Sequence, residues 1–235
     1  MEKSEQKLQI CLTTWINHIL KPKNKVVTDL LYDLRNGDLL RDVIKILQAT
    51  DEEIVPNGVS SAANVTNLLG YLQKERVKFD SELVTCDKIV QGDPAATVHL
   101  IWSVAFHYES RQTLESLSLP SQLVSPNIEW ILQAWVSSVV PHVANITTDL
   151  ADGQVLATLV LNHQPVTKLS SLLENQAAEC ISDHVVRIIS HHFSIPPLLT
   201  LPDVTDKRIS ILYLLILARQ LSPTITLDMI SGNSI

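Results

Sequence analysis

Three histidines in the second half of the chain, His184, His191 and His192, are the first residues to suggest chemistry, because imidazole is the commonest metal ligand and proton carrier. His184 and His191 are seven residues apart and His192 falls on a different helical face, with no HExxH or Cys/His spacing beside them. A tetrahedral site needs three or four convergent ligands, so no metal centre is expected. The cysteines, Cys11, Cys86 and Cys180, are odd in number and far apart, and no CxxC pair offers a zinc knuckle or redox dithiol. The GxSxG nucleophile turn, the GxxxxGK[ST] phosphate loop and GxGxxG are all missing from the sequence. No catalytic residue, metal or cofactor is expected.

Another pattern is stronger. Asp33-Leu34-Arg35-Asn36-Gly37 returns as Asp149-Leu150-Ala151-Asp152-Gly153, each followed by an apolar run. An aspartate ahead of a glycine turn points to turn chemistry, with Gly37 and Gly153 at positive φ. The aspartates are 116 residues apart and two tryptophans upstream, Trp15 and Trp135, are 120 apart. That interval is too long for a solenoid repeat and indicates a duplicated domain.

The elements that carry these landmarks read as helices. Leu8, Cys11, Leu12, Trp15 and Ile19 form one apolar face over 8–20, with Gln9, Thr13, Asn17 and His18 opposite. Pro22 and KPKNK end it, and Thr28 is the expected N-cap of DLLYDLR. DLLRDVIKIL follows, then NVTNLLGYLQKERV with Val65, Leu68, Leu69 and Leu72 inward. Pro94 occupies a first-turn position in DPAATVHLIWSVAFHY, whose stripe is Val98, Ile101, Trp102, Ala105 and Tyr108. A Ser/Pro-bearing segment over 109–127 is the linker candidate. The order then repeats: a tryptophan helix (128–140), a broken Asp-Gly helix (147–163), a His-bearing helix (about 181–193) and an apolar helix (205–221). Trp15, Trp102 and Trp135 are expected in the core.

Composition agrees. The chain has 235 residues, 46% hydrophobic and 18% charged, with only 6 glycines, which suits helices more than a turn-rich β fold. Net charge is −7 without a basic block, which argues against duplex nucleic acid. The longest apolar run, ILYLLILA, is far short of a membrane span. With a charged N-terminus, the expected setting is reducing and cytoplasmic. Charge is uneven: 13 basic and 16 acidic residues up to Pro120, against 5 and 9 after it.

CLTTWINHIL, DLRNGDLL, NVTNLLGYLQKERVKF and CDKIVQGDPAATVHLIWSVAFHY resemble the calponin-homology domain. Their recurrence, through DLADGQVLATLV and PDVTDKRISILYLLILA, resembles the tandem pair of spectrin, α-actinin, filamin and nesprin relatives, with a divergent stretch over 163–200. The resemblance implies an all-α fold of two calponin-homology domains, each a compact bundle of four main helices. The first would span 1–110, the linker 111–126, the second domain 127–222 and a tail 223–235. Such pairs usually lead a longer rod, so the sequence is compatible with a whole protein or with the head of a longer one.

The resemblance also implies a function: a non-catalytic cytoskeletal module binding the side of actin filaments, mainly through the first domain, with the second modulating affinity. The family's contact helices correspond to 8–20, 94–109 and 128–140. On them the exposed candidates are Gln9, Thr13, Asn17 and His18, then Thr97, Leu100, Val104 and His107. Lys21, Lys23 and Lys25 would steer the domain toward acidic filament surface. Gly92-Asp93-Pro94 stands where the family typically follows glycine with a lysine, which weakens that attraction. The alternative is a parvin-like adaptor whose second domain binds another cytoskeletal or signalling protein; microtubule binding is a minor one, since it needs basic surface.

Overall fold

A computed structural model describes residues 3–50, 58–117, 128–151, 153–174, 181–199 and 206–222. They are helical, and no strand occurs among them. The chain forms two compact units, Met1–Tyr108 and Glu109–Ile235.

In the first unit, α1 (Lys3–Leu20) buries Leu8, Cys11, Leu12, Trp15, Ile16 and Leu20. Ile19, expected inward, is only half-buried, and Ile16 and Leu20 take the inner positions. A 3-10 turn over Lys21–Lys23 leads to the short α2 (Leu30–Asp33). The N-cap of α2 is Asp29 rather than Thr28: its carboxylate accepts from the amides of Leu31 and Tyr32 at 2.9 and 3.1 Å. Then come α3 (Asp38–Leu47), α4 (Ser61–Lys74, capped by the Ser60 hydroxyl), α5 (Cys86–Gln91) and α6 (Pro94–Ser116).

On the first four turns of α6 the accessible stripe is Ala95, His99, Trp102 and Phe106, the first exposed and the others half-buried, and not the expected Thr97, Leu100 and Val104. Ala96, Thr97, Val98, Leu100, Ile101, Ser103, Val104, Ala105 and Tyr108 are all buried. Small or apolar residues occupy most of its circumference, so most of the helix packs as a core element. Trp102 is less enclosed than expected and lies against Phe106, ring centroids 5.4 Å apart.

α6 also runs through the first six positions expected as linker. Glu109, Ser110, Thr113 and Leu114 are buried. They belong with the second unit, where the Thr113 hydroxyl bonds the Leu215 carbonyl oxygen at 3.0 Å. The expected linker residues 118–126 and the tail 223–235 lie outside the described residues.

The rest of the second unit is α7 (Ile128–Val139), α8 (Gln154–His163), α9 (Thr167–Glu174), α10 (Ile181–Phe193) and α11 (Lys207–Leu221). α11 is its central element, with every residue from Ile209 to Ala218 buried, plus Leu221. Residues 146–150 form turns, so the Asp-Gly helix expected from 147 starts only at Gln154. α9 falls in the divergent stretch and has no counterpart among the expected helices.

The two units repeat their internal bonds in one register. Asp33 Oδ2 accepts from the amides of Thr28 (2.8 Å) and Asp29 (3.0 Å) and from the Thr28 hydroxyl (3.3 Å). Asp149, 116 residues on, accepts from the amides of Ala144 (2.8 Å) and Asn145 (2.9 Å) and from the Thr148 hydroxyl (2.9 Å). These amide bonds hold both carboxyls below the ordinary carboxylate range; the bond from Asp29 leads for Asp33 and the bond from Asn145 for Asp149. Gly37 and Gly153, at φ +76° and +78°, turn the chain into α3 and α8 in the left-handed region that favours glycine. Leu34, Leu40, Val43 and Ile44 are buried, as are their counterparts Leu150, Leu156, Leu159 and Val160.

The same register fixes α1 against α7. Asn17 brackets the Val27 backbone, donating to its carbonyl (2.9 Å) and accepting from its amide (2.7 Å). Gln133, 116 residues on, donates to the Val143 carbonyl at 2.8 Å. Trp15 therefore corresponds to Ile131, and Trp135 to Ile19. The tryptophans sit one helical turn out of step, which is why their spacing is 120. Both are in the core, at 0% and 1% exposure. The Trp135 indole donates to His163 Nε2 at 3.2 Å, where the first unit has Leu47. Burial pushes the His163 imidazole below its ordinary range, keeping it a neutral acceptor.

Candidate functional site

The residues expected to form one contact surface divide into three groups. The first lies on the outer side of α1. Gln9, Thr13 and Asn17 are half-buried and His18 is exposed. The Thr13 hydroxyl bonds back to the Gln9 carbonyl at 2.8 Å. Asn17, bracketing Val27, spends its amide on the internal bonds above and is a structural residue.

Ile10 was not among the expected surface residues. It is 67% exposed, on the outer side of a helix whose inner side is fully packed. With Gln6, Gln9, Thr13, Thr14, Thr28 and Leu30 it lines a shallow depression of about 410 Å³. The signal for its exposure was in the sequence: Ile10 falls off the Leu8–Leu12–Trp15 stripe.

The second group is the basic turn. Lys21, Lys23 and Lys25 are exposed, as expected. Lys25 and Lys23 both pair with Asp42, at 2.5 and 3.6 Å. Burial pushes the Asp42 carboxyl up, but the hydrogen bond and charge of Lys25, helped by Lys23, overcome it and leave the carboxyl below its ordinary value. Asp42 thus offsets part of the turn's positive field. Among the described residues Lys21 has no carboxylate partner.

The third group fails as a surface. Thr97, Leu100 and Val104 are 1%, 1% and 0% exposed. The expectation that these residues form the outer face of α6 is corrected: they pack inward, and the accessible stripe of the helix is Ala95, His99, Trp102 and Phe106. His107 is half-buried, with its ring edge against Tyr108, centroids 5.0 Å apart. His99, next to this group, accepts from the Asp80 amide at 3.2 Å and so holds a loop.

Asp33 and Asp149 act as loop clasps, as turn chemistry requires. Among the described residues no three His, Cys, Asp or Glu side chains converge as a metal site would, and no helix is long and apolar enough to cross a membrane.

The family model for the calponin homology (CH) domain matches residues 6–110. Across its length the chain is similar to utrophin of Rattus norvegicus, 28% identical over 93% of the chain and 7% of that protein. It is also similar to the dystrophin isoforms A/C/F/G/H of Drosophila melanogaster, 27% identical over 82% of the chain and 5% of the relative. The erythrocytic spectrin beta chain of Mus musculus is 24% identical over 82% of the chain and 9% of the relative. The chain therefore spans less than a tenth of the length of these relatives.

Proposed function

We infer, starting from residues 6–110 as a member of the calponin-homology family and from a chain consistent with the tandem calponin-homology type, that this protein is a cytoskeletal module binding the side of actin filaments. The observation that carries the reading is the outer face of α1. There a packed inner side is combined with an outward apolar residue, Ile10, among small polar neighbours. Gln9, Thr13 and Thr14 line the same depression, and His18 and Lys21 are exposed toward the helix end. An apolar centre with a polar rim is the composition of a protein-contact patch.

Thr97, Leu100 and Val104 are omitted from the contact set, because a buried side chain cannot touch a filament. The second unit modulates affinity in this reading: where only a fraction of molecules is competent, the apparent affinity falls by that fraction. The setting is the cytoplasmic cytoskeleton.

Co-sedimentation with filamentous actin at low and moderate salt tests the proposal. The chain is expected in the pellet, with Ile10→Glu lowering affinity about tenfold, a loss of about 1.4 kcal/mol. A chain that stays in the supernatant at tens of micromolar filament would sink the reading.

A further inference from the structure

We propose that the groove between α9 and α10 in the second unit binds an acidic, amphipathic peptide segment of a partner protein, seated on its apolar walls and held by Lys168 and Arg187. The groove encloses about 570 Å³ between Pro165, Val166 and Ile188, with Lys168, Arg187 and His191 among its lining residues. A second depression of about 410 Å³ shares Thr167, Lys168 and Ile188 with it and adds Leu172, so the apolar surface continues along α9.

Charge placement gives the occupant its sign. After Pro120 the chain has five Lys or Arg against nine Asp or Glu. Three of the five are matched: Lys207 with Glu129, Arg208 with Asp206 at 2.7 Å and Arg219 with Glu109 at 2.9 Å. The other two, Lys168 and Arg187, are exposed and face no carboxylate among the described residues. Both line this groove, together with His191 and His192. In a unit poor in cations, the two that pair with no carboxylate among the described residues both lie beside its apolar groove. Such a site complements carboxylates flanking apolar side chains.

A simple anion fits less well. The groove's charged and imidazole lining residues, Lys168, Arg187, His191 and His192, are exposed, and among the described lining residues none is a buried side-chain donor of the kind an anion cradle requires. The length suits a short helix: Arg187 to His192 spans about 7.5 Å along α10, so two turns with apolar anchors at i, i+3 or i+4, and i+7 would cover it.

The test uses the full chain and a fluorescein-labelled 12-residue synthetic peptide, about a dozen residues being the length of two to three turns. The peptide carries leucines at that spacing and Asp or Glu elsewhere. Anisotropy should show saturable binding that weakens about tenfold or more in Lys168→Glu/Arg187→Glu, both exposed positions, with an unchanged thermal melt. A peptide with Lys in place of its acids, and one with Ser in place of its leucines, should each bind at least tenfold more weakly. Absence of binding, or equal binding by the variant or by either control peptide, would overturn the proposal. So would phosphatidylserine vesicles that retain the wild type but not the variant while the peptide fails. Self-association abolished by the variant, again with no peptide binding, would assign the groove to a second copy instead. The site lies off α1 and does not rest on the filament reading; the variant should co-sediment with actin as the parent does.

Discussion

The twin aspartate clasps allow a quantitative experiment in which each unit is the other's control. Asp33→Ala removes an acceptor shared by two backbone amides and a hydroxyl. The amides of Thr28 and Asp29 stay near solvent, so water recovers part of the loss. A carboxylate receiving amides at a turn is then comparable to a helix cap, and the expected loss is about 1–2 kcal/mol. Asp149→Ala should cost the second unit about the same. With units of roughly 110 residues, each transition should move down by about 5–15 °C. The double variant should be additive, because the clasps share no partners.

Asp33→Asn separates geometry from charge. A single oxygen, Oδ2, takes all three bonds, so an amide oxygen can replace it and about half the loss should return. The sign with pH is fixed by the lowered folded-state carboxyl. The charge-dependent part is full above the unfolded value near 3.8 and is lost as pH falls through the lower folded value. The gap between parent and Asp33→Asn should therefore hold from about pH 7 to 5 and close below about pH 4. Calorimetry across this range is the assay. Asp33→Ala melting within 1 °C of the parent, or a gap that closes already near pH 6, would refute the clasp.

Other outcomes follow from the same structure. Arg219→Met leaves the 1%-exposed Glu109 carboxylate without its cation and should destabilise the second unit by about 3 kcal/mol in urea; Glu109→Gln/Arg219→Met should recover most of it. Asn17→Ala loses both bonds to Val27 and should lower first-unit stability by about 1–2 kcal/mol, while filament affinity, measured where the unit stays folded, is unchanged. The depressed His163 imidazole makes second-unit stability complete above its ordinary value near 6.5 and weaker as pH falls through the lower folded value; thermal melts should show this acid sensitivity in the parent and not in His163→Leu.

Helices whose apolar residues keep a 3.6 period were legible. The tryptophan helix over 128–140 and the histidine helix over 181–193 match α7 and α10 within a residue. The misses share a cause: periodicity counts apolar residues and cannot see a polar side chain that is buried. Thr97 reads as surface yet is 1% exposed, and Glu109, Ser110 and Thr113 read as linker yet are enclosed. The bond from Thr113 to the Leu215 carbonyl, for one, joins residues 102 apart, which no local window contains. α9 was missed for another reason: TKLSSLLE is too short to show a period. At the candidate site the exposed part of α1 and the lysine turn were legible, whereas Asp42's capture of Lys23 and Lys25 was not.

The out-of-step tryptophans have an evolutionary consequence. Because Trp135 donates to His163 while the matching positions hold Ile19 and Leu47, the two copies record alternative solutions at one pair of sites. Large-with-acceptor and aliphatic-with-aliphatic are each self-consistent, but a mixed pair is not: tryptophan opposite leucine strands a buried indole N–H, and isoleucine opposite histidine strands a ring nitrogen. Positions 19 with 47, and 135 with 163, should therefore have changed together, and the intermediates between them should be the less stable proteins in any reconstructed series.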